Sequence, residues 1–396
     1  MKRITIIAAL CFLAGNELVG QWQKKFVAGG FAGYEHNIFL SPGTLLRDGD
    51  QLTRQDLLTS GFYEGVSFKG DFENKFKEGR WKFGFATSIA NFHTNPDADR
   101  FTLSLKSSYR KRYAKGKYFE IAPEFSRRSQ QGINESDGVL RTTFSYTKFY
   151  LPLHLDYYLG NKTWFKTETA YTFKAYDQND LGEKVSYHSA KTGLNFSKKW
   201  DKNEAINKLT FSGGIEYRYY TDLELEDEDD EDIEEEDEED DFVARPNNPI
   251  AFIAEERQWF FYTMGLDYNV KNDRTNFDYT LGLYFVGRGD SEKRFGYREL
   301  SPALSMRYSK KKLSVTASLK YGMRKFSTLT VGDNDQLLTY NYLRGSVRFN
   351  VALPKNKAWY IKGNLVNRTA NNNNINSLAF RGYLNNSIET GISIRF

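Results

Sequence analysis

From about residue 22 onward, apolar and polar side chains alternate with a period of two, and no stretch shows the 3.6-residue recurrence of an amphipathic helix. In the run 101–109, Phe101, Leu103, Leu105 and Tyr109 share one side, while Thr102, Ser104, Lys106 and Ser108 share the other. The run 276–288 repeats this, with Phe277, Tyr279, Leu281, Leu283 and Phe285 set against Asp278, Thr280, Gly282 and Tyr284. So does 313–324, where Leu313, Val315, Ala317, Leu319 and Tyr321 oppose Ser314, Thr316, Ser318, Lys320 and Arg324. Successive side chains of a strand point to opposite faces, so each run has one apolar wall and one wet wall. The 31 Phe, 26 Tyr and 6 Trp are too many for a disordered chain. A mean hydropathy of −0.63 with 27% charged residues is too polar for a helical membrane protein.

The alternation predicts sixteen strands: 22–34, 57–76, 80–92, 100–113, 117–129, 139–158, 163–176 and 184–199, then 207–220, 253–270, 275–288, 295–310, 312–326, 337–352, 357–369 and 380–396. Fourteen is the alternative count, because 139–158 and the first strand carry the weakest pattern. The connections alternate in length. Tight ones fall at 77–80, 114–117, 160–162, 271–274, 309–312 and 354–357. Longer ones fall at 35–56, 93–99, 130–138, 177–183, 221–252, 289–294, 327–336 and 370–379. One end of the molecule is then made of short turns and the other of loops, the pattern of a transmembrane antiparallel β-barrel with periplasmic turns and extracellular loops. An even strand count puts both termini at the short-turn end.

The two ends of the chain carry further signals. Lys2 and Arg3 precede an apolar run from Ile4 to Ala14, and Leu18-Val19-Gly20 offers a small residue for cleavage, so residues 1–20 read as a secretory signal peptide. Cys11, the single cysteine, lies inside that segment; residues 21–396 then hold no disulfide and no thiolate chemistry. At the other end Ile388, Thr390, Ile392, Ile394 and Phe396 fall on one face. A last strand that alternates and ends in Phe resembles the assembly signature of Gram-negative outer-membrane β-barrels of the porin-like class, with Ile392, Ile394 and Phe396 as its membrane-assembly signal. The resemblance implies one barrel over 21–396, a place in the outer membrane, contact with lipid and lipopolysaccharide, and delivery by the barrel-assembly machinery. Trp81, Trp164, the run 259–262 and Trp359-Tyr360 are expected to form interfacial girdles.

Charge divides the chain. From Asp222 to Asp241 every residue is acidic except Leu223, Leu225 and Ile233, which predicts a disordered extracellular loop at about 221–245. Its carboxylates, among them Asp227, Asp229, Asp230, Asp232, Glu234 and Asp237, suit weak capture of Ca²⁺ or Mg²⁺, but no EF-hand spacing is present. The same loop could also fold inward as an electrostatic plug. The rest of the chain is strongly basic, since the totals are 55 Lys and Arg against 51 Asp and Glu. Much of that excess falls on wet strand faces: Lys106, Arg110, Arg112, Arg307, Lys320, Arg324, Arg344, Arg348, Lys362 and Arg368, with fewer acids, such as Asp267, Asp278, Glu299 and Glu389. Either these cations raise the anion concentration in a lumen, or they pair with carboxylates and brace the wall. Gly84, Ala86, Ser88, Ser212 and Gly214 would leave room for an opening.

Enzymatic motifs are missing: there is no G-x-S-x-G, H-E-x-x-H, P-loop or dinucleotide fingerprint. Of the four His, His36 and His93 fall in loops and His188 near an outer strand end, with Asp97 and Asp99 close to His93 in sequence. His154 shares the wet face with Asp156, and no nucleophile accompanies either. No nucleic-acid recognition module surrounds the basic residues. The expected function is a passive diffusion channel for small polar or anionic solutes, without a cofactor. The alternative is a non-conducting accessory barrel that docks a transporter partner or collects divalent cations through its acidic loop.

Overall fold

The computed structural model describes residues 22–39, 41, 44–47, 50–53, 58–130, 132–133, 140–141, 145–177, 186–202, 204–221, 258–291, 293, 295–331, 336–373 and 382–396. Residues 1–20 and the acidic run lie outside this set. Sixteen antiparallel strands close into a barrel. In chain order they are β1 (Gln23–Glu35), β2 (Gly61–Phe76), β3 (Gly79–Phe92), β4 (Arg100–Ala114) and β5 (Lys117–Ile121 continued by Glu124–Gln130). Next come β6 (Tyr146–Gly160), β7 (Thr163–Tyr176), β8 (Ser186–Lys202), β9 (Ala205–Thr221), β10 (Gln258–Asn272) and β11 (Phe277–Asp290). The last are β12 (Tyr297–Lys310), β13 (Leu313–Val331), β14 (Gln336–Leu353), β15 (Lys357–Ala370) and β16 (Tyr383–Arg395).

Each strand pairs with its sequence neighbours, and β1 closes the ring by pairing with both β2 and β16. At the seam Phe26 and Phe396 exchange backbone hydrogen bonds of 3.1 and 3.0 Å, so the ladder runs to the last residue. Closure is what lipid demands, because no water reaches an open sheet edge inside a membrane. Among the described residues no helix is long and apolar enough to cross a membrane; the crossing is made by strands. Most of these run 13 to 19 residues, more than the ~9–11 needed to span the hydrocarbon.

Both seam ends lie with the tight turns. Two-residue turns of this kind need positive φ at both central residues, and Asn161 (φ 47°) with Lys162 (φ 57°) supplies it. The three-residue connection between Leu353 and Lys357 likewise holds Lys355 (φ 58°) and Asn356 (φ 57°) there. The ladder departs from regularity at Ala122-Pro123, where β5 is interrupted and Pro123 has no N–H to give. A second gap falls at Ser301-Pro302, which have no pairing partners on β13.

The register sorts every strand into two faces. The outer face carries Phe62, Val66, Met264, Leu283, Leu319, Ile388 and Ile392, all exposed as single molecules, with Phe62 at 66% and Val66 at 60%. That belt is what lipid chains cover. Phe396, 65% exposed, and Ile394 stand on it too. Trp81 and Trp359 also face outward, at 46% and 37% exposure. Trp164 and Trp259 do not: they pair with Ser197 and Arg218 on the inner face. The girdle expectation is corrected there. Trp259 turns inward because Arg288 lies 4.1 Å from its ring centroid and Tyr220 packs edge-on at 4.8 Å.

Candidate functional site: the inner wall

All ten cations singled out from the alternation lie on the inward-facing register. Lys106, Arg110 and Arg112 do so on β4, Arg307 on β12, Lys320 and Arg324 on β13, Arg344 and Arg348 on β14, and Lys362 and Arg368 on β15. The inner face holds further cations that the sequence reading did not single out, among them Lys69, Lys82, Arg100, Lys166, Lys174, Lys191, Arg218 and Arg288. The same period-2 count marks them, but Tyr and Trp interleaved on the wet faces of β6 to β11 blur it.

The wall differs from arc to arc in how many carboxylates it carries. From β1 to β9 several inward cations are neutralised, while Arg112, Lys148, Lys166, Lys174, Lys199 and Lys208 form no ion pair among the described residues. Lys69 meets Asp71 at 3.0 Å, Lys82 meets Glu73 at 3.7 Å, and Arg100 meets Glu35 at 2.8 Å. Lys106 meets Glu124 at 3.0 Å, and Arg110 reaches both Asp156 at 2.8 Å and Glu120 at 3.6 Å. Lys191 and His154 converge on Glu168 at 3.3 and 3.5 Å. His154 and Asp156 share the wet face as read from the alternation but are not partners, because Arg110 takes the carboxylate of Asp156. His93 comes no nearer to a carboxylate than 4.0 Å from Glu64, and Asp99 accepts the Phe92 N–H at 2.7 Å as part of a turn. His188 faces outward and shares a hydrogen bond with the Tyr171 hydroxyl at 2.6 Å.

From β12 to β15 the balance changes. Arg324 is paired, with its guanidinium 2.6 Å from Glu299. Arg307, Lys320, Arg344, Arg348 and Lys362 form no ion pair among the described residues. Arg307 donates to Ser309 at 3.2 Å and Arg348 to Asn350 at 2.8 Å. The carboxylate opposite Lys362 is Glu389, but it accepts hydrogen bonds from Tyr63 at 3.1 Å and Tyr360 at 2.9 Å. Two pairs of like charge sit directly across the ladder: Lys320 opposite Arg344, and Arg348 opposite Lys362. Such juxtaposition is unfavourable in a sheet.

Toward the loop end the inner wall becomes an aromatic and arginine layer that runs across neighbouring strands. Arg218 lies 4.3 Å from the Tyr187 ring and 4.6 Å from Phe261; Arg288 lies 4.5 Å from Tyr297; Arg324 lies 4.0 Å from Tyr297. Arg368 lies 5.0 Å from Tyr340 and 4.5 Å from Tyr383. Guanidinium stacking on aromatic faces contributes about 0.5–2 kcal/mol per contact. Two buried apolar clusters share this end. Tyr297, Phe326, Leu338 and Tyr340 form one, and Ile38, Tyr63, Phe92 and Ala98 form the other. Ile38 belongs to the first long connection, whose start is held to β16 by Asn37, donating to the Leu384 carbonyl at 3.1 Å. The beginning of that loop is thus folded onto the barrel mouth.

Lower on the wall the small residues matter. Tyr284 lies flat against β10 and β11, and a Cβ placed at Gly282 would come within 2.6 Å of its hydroxyl. Held that way, it hydrogen-bonds Asp267 and leaves the middle of the wall clear. Gly84, Ala86 and Ser88, and Ser212 with Gly214, also face inward.

The acidic positions Asp227, Asp229, Asp230, Asp232, Glu234 and Asp237 lie outside the described residues. Among the described residues no group of three or more His, Cys, Asp or Glu is placed to hold a metal ion.

No family model and no curated protein matches the chain. In outline it is similar to solved outer-membrane barrels. OccK2 (OpdF) of Pseudomonas aeruginosa, crystallised with glucuronate, aligns over 95% of this chain and 98% of its own at 10% identity and a TM-score of 0.46. A loop-deletion form of OmpT from Vibrio cholerae aligns over 95% and 99% at 10% identity and a TM-score of 0.37. The ferric citrate transporter FecA aligns over 94% and 78% at 9% identity and a TM-score of 0.40. At such scores the likeness says nothing about function. The closed ladder, the apolar outer belt and the polar inner wall establish the class by themselves: the chain is a sixteen-stranded transmembrane β-barrel of the outer-membrane type.

Proposed function

We propose that this barrel is a passive channel that lets small polar solutes diffuse across the outer membrane, with a preference for anions. The observation that carries the reading is the uneven inner wall. Several carboxylates face inward on β1 to β9 and pair some of the cations there. The β12–β15 arc has Glu299, held by Arg324, as its one inward carboxylate among the described residues and leaves Arg307, Lys320, Arg344, Arg348 and Lys362 without one. A water-facing wall of one charge sign raises the local concentration of the opposite ion, and low-dielectric walls focus that field. The acidic segment 222–241 is proposed to act on the same field from the loop side, lowering anion entry when it lies near the mouth.

The accessory-barrel reading draws its support from the mouth, where the start of the first long connection and the two aromatic clusters occupy inner-wall space. Liposome swelling separates the two. Vesicles containing the refolded protein should swell several-fold faster than empty ones in an isosmotic small sugar, and faster still relative to sugar size in an organic anion. Folded protein that leaves swelling at the empty-vesicle rate would favour the accessory barrel.

A further inference from the structure

The middle of the β12–β15 arc is a concave recess of 480 Å³ in the inner wall, and its inward side chains include Lys320, Arg344, Lys362, Ser318, Ser346 and Asn364. The three cations come from three consecutive strands. None of them forms an ion pair among the described residues, whereas Lys106 and Arg110 across the barrel are each held by a carboxylate. Lys320 and Arg344 are direct cross-strand partners, so without a counter-ion the sheet holds two like charges about 5 Å apart at Cα. The hydroxyls of Ser318 and Ser346 are likewise cross-strand partners, hydrogen-bonded to each other at 2.7 Å. They leave lone pairs and, by rotation, one donor facing the recess. Asn364 donates to Ser387 at 2.9 Å, which leaves its carbonyl as an acceptor.

We propose that this recess is a binding subsite for a small hydroxylated dianion, a sugar phosphate or a hydroxy-dicarboxylate. Two negative charges match a site with three cations and relieve the repulsion between Lys320 and Arg344. The serine and asparagine groups match hydroxyls on the solute body. A recess of this volume takes a solute of roughly nine to sixteen heavy atoms together with water. The subsite gives the proposed channel its solute class and rests on that reading only for the transport step; binding itself needs no open pore.

The test uses the refolded full-length barrel and two readouts. Equilibrium dialysis in detergent measures binding of glucose-6-phosphate, malate and glucose. Planar-bilayer recording measures blockage of current by the same three. Both dianions should bind and produce concentration-dependent current interruptions that glucose does not. A Lys320→Gln/Arg344→Gln variant should weaken both effects by about tenfold or more, the loss of charge-assisted hydrogen bonds. Lys106→Gln, which removes a cation already paired with Glu124, should leave them within about twofold. Response to phosphate but not malate, or the reverse, narrows the class to one of its two sources. Binding without any current keeps the subsite and overturns the channel. Current with no dianion binding, or binding that the double variant leaves intact, overturns the subsite. Heat-shifted mobility on gels confirms that each variant is folded.

Discussion

Tyr284 shows how much one glycine decides. Its ring lies along the wall only because Gly282 has no Cβ, and its hydroxyl bonds Asp267 as a result. Gly282→Val should push the ring inward, costing about 1–3 kcal/mol in overpacking and lowering single-channel conductance. Unfolding in urea and conductance measured together check it; unchanged conductance would mean that Tyr284 does not border the water path. The Arg324–Glu299 pair tests the wall in another way. Glu299 keeps only 12% of its side chain exposed beside the guanidinium, so Arg324→Met should destabilise the barrel by about 2–3 kcal/mol, and adding Glu299→Gln should recover most of the loss. Such pairs were not legible in the sequence. Alternation shows that Arg324 and Lys320 face the same way, but whether a carboxylate meets either depends on cross-strand register and on competitors. Glu389 stands opposite Lys362 yet is held by Tyr63 and Tyr360. The inward turn of Trp259 was hidden for the same reason, since its partners Arg218 and Arg288 lie on neighbouring strands.

Strands were the most readable level. A period of two fixes the face of every residue once one is known, and a slip by one would put Leu319 or Ile392 in water. The sixteen segments match the sixteen strands closely, with β6 starting later than expected, at Tyr146, and β13 running on to Val331. The interruptions at Pro123 and Pro302 are local accommodations that a hydropathy pattern does not register. Closure between β1 and β16 is open to a direct check. Gly29 and Ser393 are partners in the seam, and a Cβ built at Gly29 lies 3.7 Å from the Ser393 Cβ, within disulfide geometry. Gly29→Cys/Ser393→Cys should cross-link on oxidation in the assembled protein and alter its denatured mobility on non-reducing gels. A Gly29→Cys/Ile392→Cys control, with Ile392 on the outer face, should not. Cross-linking in the control alone would place the seam one residue out of register. Removal of Phe396 takes away the last hydrogen-bonded pair with Phe26 and is expected to reduce the yield of assembled barrel in cells.

For the molecule as a whole, the sequence conveys class and compartment better than task. Periodicity and loop asymmetry are properties of the whole chain and survive local exceptions. The recess between β12 and β15 depends on three neighbouring strands meeting at one height, which no single segment reveals. The acidic run 222–241 is a whole-molecule question too: its deletion should leave the barrel folded and strengthen anion preference. The central claim, that the unpaired cations of β12–β15 set a field across an open lumen, is tested most directly by the reversal potential of the refolded protein in a planar bilayer under a salt gradient. Steady conductance should reverse on the anion-selective side, and Lys320→Glu/Arg344→Glu should move it toward the cation side by several millivolts or more. A folded barrel that carries no current, or one whose native form prefers cations, would contradict the account.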